Sequence, residues 1–158
     1  MHTKHDDQLP HIQVSKTVPH PFKPDCEIAA CYLEIDGRLL LLKRAQGKFE
    51  GEKWGVPAGK IEKGETPVDA AMRELSEETG IQVFSTNVKE MGKLYIRKGT
   101  GAYIFYLFQI AIDTTPQVVL NAEHTEYKWA SDQEIALLQL IGGGKEALSY
   151  YKELKVGS

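Results

Sequence analysis

Residues 59–81 read Gly59-Lys60-Ile61-Glu62-Lys63-Gly64-Glu65-Thr66-Pro67-Val68-Asp69-Ala70-Ala71-Met72-Arg73-Glu74-Leu75-Ser76-Glu77-Glu78-Thr79-Gly80-Ile81. The stretch carries the start and stop signals of one helix and an unusual load of charge on it. Thr66 followed by Pro67 is an N-cap with proline at the first helical position, and Gly80 offers the left-handed residue that ends a helix. Between them the chain predicts a helix of about 13 residues, near 20 Å long. On a helical wheel Val68, Ala71, Met72 and Leu75 form an apolar stripe for the core. Ala70, Glu74, Glu77 and Glu78 fall on a second stripe about a third of a turn away, with small Ala70 leaving room beside Glu74.

Like charges at i, i+3 and i+4 repel by a few tenths of a kcal/mol per pair. A helix shaped only for stability would disperse them or interleave lysines, and no lysine is interleaved here. Converging carboxylates suit a hard cation such as Mg²⁺ or Mn²⁺, whose binding removes the repulsion. A solvated acidic helix face is the plain alternative for an isolated Glu-x-x-Glu-Glu.

Outward from the helix the chain reads as a sheet protein. The apolar run from Cys26 through Ile28–Leu33 reaches Asp36-Gly37, a two-residue hairpin signal, and Leu39–Leu42 runs back antiparallel. Ala45 to Lys53 is a polar loop, and a short element around Trp54, Gly55 and Val56 precedes the turn at Pro57-Ala58-Gly59. Ile81 to Val88, Met91 to Arg97, Tyr103 to Ile112 and Tyr127 to Ala130 are rich in β-branched and aromatic residues and predict strands. Ser131 with Glu134 is a capping box before a helix over Ile135 to Leu140, and Lys145 to Leu154 predicts a closing helix. Residues 1–24 hold His2, His5, His11, His20 and four prolines but few large apolar groups, so they are expected as a flexible arm beside a single domain over 25–158. The irregular histidine spacing in that arm does not suit a metal site.

Context turns the acidic helix from ordinary to specific. Gly59, five residues, Glu65, seven residues, then Arg73-Glu74-Leu75, Glu77-Glu78 and Gly80-Ile81 reproduce the Nudix box, and Gly55 to Ile81 closely resembles the MutT branch of the Nudix family. The resemblance implies an α+β fold, an α/β/α sandwich around a mixed β-sheet, and magnesium-dependent hydrolysis of a phosphoanhydride bond in a nucleoside diphosphate compound. It implies that Glu74, Glu77 and Glu78 coordinate Mg²⁺, with Mn²⁺ as a substitute, and that Arg73 orients a glutamate of the site. It also brings in a backbone carbonyl at Ala58-Gly59 as a further ligand, with Ala58 standing where a second glycine is common in the family. Glu65 is expected to be structural, beside the helix dipole and Arg73. A base must accept the proton of the attacking water, and Glu123 in the loop Asn121 to Glu126 is the first candidate, followed by Glu126 and His124.

The substrate is less sharply written. Lys43, Arg44 and Lys60 are candidate phosphate contacts; Phe49 and Tyr103 are candidates to stack on a base, with Tyr95 and Phe105 behind them. By resemblance, Trp54-Gly55-Val56-Pro57 ranks a nucleoside triphosphate first. Pro57-Ala58-Gly59 keeps ADP-ribose or a nucleotide sugar second, because the proline such enzymes carry some fifteen residues past the box is missing and the next is Pro116. A domain of this type that senses nucleotide without cleaving it stays open, although such domains often lose box glutamates and this chain keeps them. A homodimer is compatible with these residues and not derivable from them.

Bulk properties bound these readings. A chain of 158 residues, 42% apolar and 26% charged, can bury one core, and a net charge of −3 offers no general attraction for nucleic acid. An RNA 5′-end substrate would want a basic channel for the following nucleotides. No apolar run approaches a membrane span and no signal-peptide core is present, so a cytoplasmic enzyme with no membrane partner is expected. Cys26 and Cys31 on one strand would lie about 16 Å apart and face opposite ways, which excludes a disulfide between them.

Overall fold

The computed structural model describes residues 11–99 and 101–157. Its strands are β1 (Ile12–Ser15), β2 (Cys26–Ile35), β3 (Arg38–Arg44), β4 (Trp54–Gly55), β5 (Ala58–Lys60), β6 (Val88–Lys98), β7 (Gly101–Ala111) and β8 (His124–Ala130). Its helices are α1 (Pro67–Thr79), α2 (Asp132–Ile135) and α3 (Gly144–Gly157). The sheet runs β1-β6-β7-β2-β3-β4, with β5 added to β2 and β8 to β3. β2 and β7 pair in parallel and the other ladders are antiparallel, so the sheet is mixed.

The continuous burial of Ala29 to Leu33 follows from β2 being covered on both faces. Ala30 and Tyr32 point into one core with Leu39, Leu41, Ala147 and Tyr151 from the α3 side. Ala29, Cys31 and Leu33 point into the other with Leu40, Leu42, Ala70, Ala71 and Leu75 from the α1 side. The period of two along β2 and β3 thus builds both layers of a sandwich. Asp36 and Gly37 both take positive φ, 49° and 75°, as the tight hairpin requires. Cys26 and Cys31 are free thiols.

Three expected elements are corrected. Ile81 to Phe84 form no strand; a 3-10 turn follows at Ser85–Asn87 and the strand begins at Val88. The apolar alternation is real, but Ile81 is buried at the end of α1 with its N–H on Thr79 Oγ1, and Phe84 stands in solvent, in no strand ladder among the described residues. The helix expected over Ile135 to Leu140 closes after one turn, because Leu140 is drawn into a bridge with Trp54 while Trp54 N–H donates to Gln139 O. The Ser131–Glu134 capping box is formed. Within the segment expected as an arm, Ile12–Ser15 pairs with Tyr95–Lys98 as an edge strand, so the sheet crosses the 24/25 boundary. His2 and His5 lie outside the described residues.

Candidate active site

α1 begins and ends where its caps place it: Thr66 Oγ1 accepts from Asp69 N–H at 3.2 Å, and Gly80, φ 75°, donates to Ser76 O. Fully buried Ala70 and Ala71 let the helix lie close on the sheet. At Gly59 a Cβ would stand 2.0 Å from Glu74 Oε2, so any larger residue there would push the Glu74 carboxylate out of its present position. The connection from β7 to β8 docks on the far end of the helix through Val119 N–H to Thr79 O, 2.8 Å.

Arg73 binds this arrangement together. Its Nε and Nη2 grip the two oxygens of Glu65 at 2.7 and 3.0 Å, Nη2 also reaches Lys60 O, and Nη1 donates to Glu74 Oε1 and Glu77 Oε1, both at 3.2 Å. Glu65 in turn accepts from Glu62 N–H. Its hydrogen bonds to Glu65 hold Arg73 protonated and its pKa above the ordinary arginine value. One guanidinium thereby fixes the loop before α1, the helix and the direction of Glu74, a fork geometry that lysine does not possess.

The three helical glutamates do not share one environment. Glu78 is 4% exposed and, among the described residues, accepts a single backbone hydrogen bond, from Ala58 N–H at 3.1 Å. Burial, and then the neighbouring Glu74, push its pKa up to about 9. Glu74 is also raised, mainly by burial, against the pull of Arg73. Glu77 stays exposed at the rim, paired with Arg73.

Glu123, at the end of the β7–β8 connection, has its N–H on Asn121 Oδ1. His124, expected in a loop, is the first residue of β8 and is buried; Ala45 N–H donating to Glu123 O holds the corner against the end of β3. Ligand atoms of Glu78, Glu123 and His124 all lie within 4.8 Å of one another. A buried carboxyl, an exposed carboxylate and a buried imidazole around one small volume make a set that a dication would complete.

A cavity of about 580 Å³, ample for a nucleotide-sized ligand, opens over these carboxylates. Glu74, Glu78, Glu123, Ala58, Gly59, Lys60 and Arg44 line it, as do Phe49 and Tyr103. Arg44 is tied to the loop through Nε to Phe49 O, 2.7 Å. Lys43 and Glu126 pair with each other at 3.2 Å and do not line the cavity. Tyr95 packs edge-on against Phe22, away from the site.

Sequence reasoning missed Glu50 and Lys98. Lys98 Nζ donates to Glu50 Oε2 at 2.6 Å and to Gly142 O at 3.2 Å, and lies over the rings of Phe49 and Tyr103 at 5.5 and 6.0 Å. Glu50, with φ 54°, also accepts from Gly142 N–H. This clasp joins three segments remote in sequence, so no local pattern announces it.

Residues 27–151 match the model of the NUDIX domain. The chain belongs to the Nudix family. Its relatives include the Nudix hydrolase YvcI of Bacillus subtilis, 28% identical over 126 residues that cover 78% of this chain and 77% of that protein. The nucleoside triphosphatase NudI of Salmonella newport is 30% identical over 118 residues, covering 68% of this chain and 83% of NudI. In fold, the MutT protein of Methanosarcina mazei superposes with a TM-score of 0.71 at 23% identity, over 85% of this chain and 96% of the other. The protein is therefore a Nudix hydrolase, a pyrophosphohydrolase family whose substrates are small-molecule nucleotides, and the sandwich around a mixed sheet is the Nudix fold. Among the described residues no helix is long and apolar enough to cross a membrane.

Proposed function

We propose that this Nudix hydrolase is a Mg²⁺-dependent pyrophosphohydrolase of nucleoside triphosphates, with Mn²⁺ able to replace Mg²⁺. The observation that carries the reading is the meeting of Glu74, Glu78 and Glu123 on one cavity that also presents Arg44, Lys60, Phe49 and Tyr103. NudI, a nucleoside triphosphatase, is the relative that favours this substrate class.

A dication held by Glu74 and Glu78 would neutralise the polyphosphate and acidify a water near phosphorus. Glu78, unable to stay charged cheaply in its burial, holds that position because the site brings positive charge to it. Arg73 keeps Glu74 aimed by taking its Oε1, and Glu77 supplies charge from the rim. Glu123 accepts the proton of the attacking water, having no hydrogen-bond donor on its carboxylate among the described residues. Arg44 and Lys60 contact phosphate oxygens, and a base lies against Phe49 and Tyr103. Lys43, held by Glu126 outside the cavity, is left out of the substrate contacts.

The test is product analysis on nucleoside triphosphates, ADP-ribose, dinucleotide polyphosphates and nucleotide sugars, with Mg²⁺ and with chelator. Mg²⁺-dependent release of pyrophosphate and a nucleoside monophosphate supports the proposal. Cleavage confined to ADP-ribose or sugars moves the assignment to that class. Nucleotide binding without cleavage across the panel replaces it with a sensing role.

A further inference from the structure

His124 is buried to 9% exposure, and its Nδ1 is sealed from water with no hydrogen-bond partner among the described residues. Buried ring nitrogens are normally satisfied, so a histidine with an orphaned nitrogen next to two carboxyl groups invites a ligand. One of its ring nitrogens lies within 4.8 Å of an oxygen of Glu78 and of Glu123, which are as near to each other. Ligands on an octahedral cation at about 2.1 Å stand about 3 to 4 Å apart, so a small contraction brings all three onto one centre.

We propose that His124 is an inner-sphere nitrogen ligand to a divalent cation shared with Glu78 and Glu123, and that this position favours Mn²⁺ over Mg²⁺. The proposal rests on the metal reading of the carboxylate cluster given above, and adds a donor that the helix does not contain. Three features of the residues support it. The ring stands beside both carboxylates, with one ligand atom of each of the three residues within 4.8 Å of the others. Two carboxylates balance the charge of one dication, which relieves the crowding at Glu78. Mg²⁺ prefers oxygen and parts reluctantly with water, whereas first-row transition dications accept imidazole, so one nitrogen in the set tilts selection toward them. Glu123 reaches the ion through one oxygen and keeps its second for the proton transfer assigned to it. The placement of His124 at the start of β8, opposite Arg44 of β3, sets the ring by the sheet rather than by a loop.

Pulsed electron paramagnetic resonance on the full chain with stoichiometric Mn²⁺ tests this without a substitution: nitrogen coupling to the bound ion is expected. Calorimetric titration of Mn²⁺ and Mg²⁺ against wild type and His124→Gln is the second arm. The variant is expected to lose roughly tenfold or more in Mn²⁺ affinity and about threefold or less in Mg²⁺ affinity, with the nitrogen coupling gone. Bound Mn²⁺ with no nitrogen coupling in the wild type, or equal losses for the two ions, overturns the proposal and leaves an all-oxygen site with His124 as a neutral filler. Failure of the wild type to bind either ion overturns the metal reading itself.

Discussion

Glu34, near the end of β2, and Glu78, in the last turn of α1, are both largely withdrawn from water, but their surroundings differ in kind. Burial alone would raise the pKa of Glu34, yet hydrogen bonds from Lys155, Tyr151 and Gln109 outweigh it and hold the carboxyl below its ordinary value. Glu78 has one backbone N–H and two neighbouring carboxylates, and its pKa is driven the other way. A buried charge with its donors in place ties α3 to the sheet and is complete as it stands. A buried carboxyl without them can ionise only at a cost, and such groups gather where chemistry is done.

The contrast is broken most directly at Glu78. Glu78→Gln should lower kcat by more than the roughly 100-fold that loss of an outer-shell partner costs at metal sites. It should also raise the melting temperature of the metal-free protein at alkaline pH; wild-type turnover would dissolve the contrast. Next in size, Arg73→Lys keeps the charge but loses the fork on Glu65. Cation affinity should fall about 10-fold or more by calorimetry, with the fold retained in circular dichroism.

Glu34→Gln is the converse variant. It should cost about 2 kcal/mol in denaturant unfolding and leave kcat untouched, because its partners are on α3 and β7 and none lines the cavity. The smallest expected effect is the pH dependence of metal-free stability. Glu78 has a folded pKa raised from 4.5 to about 9, so its contribution is lost as pH climbs between those values. Glu34 has a lowered folded pKa, so its contribution is present above 4.5 and is lost as pH falls below it. Thermal melts with chelator should therefore decline on both sides of a mildly acidic optimum, and adding Mg²⁺ should flatten only the alkaline side.

Where residues act through near neighbours in the chain, the sequence was readable. The caps Thr66 and Gly80, the Asp36-Gly37 turn and the box spacing depend on contacts a few residues long, and each formed. The wheel placed Glu74, Glu77 and Glu78 on one stripe but could not say that β5 would bury Glu78 and leave Glu77 in water, since that depends on a partner strand. Ile81 to Phe84 has strand chemistry without a neighbouring strand, and Ile12–Ser15 has a neighbour that its proline-rich surroundings hid. The Glu50–Lys98–Gly142 clasp lay beyond local reading because its three parts meet only after the sheet is assembled.

Glu78 and the Glu123–His124 corner are separated in the chain by the whole of β6 and β7, and come together where Val119 docks on Thr79. An ion bound between them is a removable cross-link across a long excursion of chain that the unfolded protein cannot form. At a hundredfold excess over its dissociation constant it would add about 2.7 kcal/mol to the folded state. The supply of free dication then governs how much of the protein survives unfolding as well as how fast each folded molecule turns over.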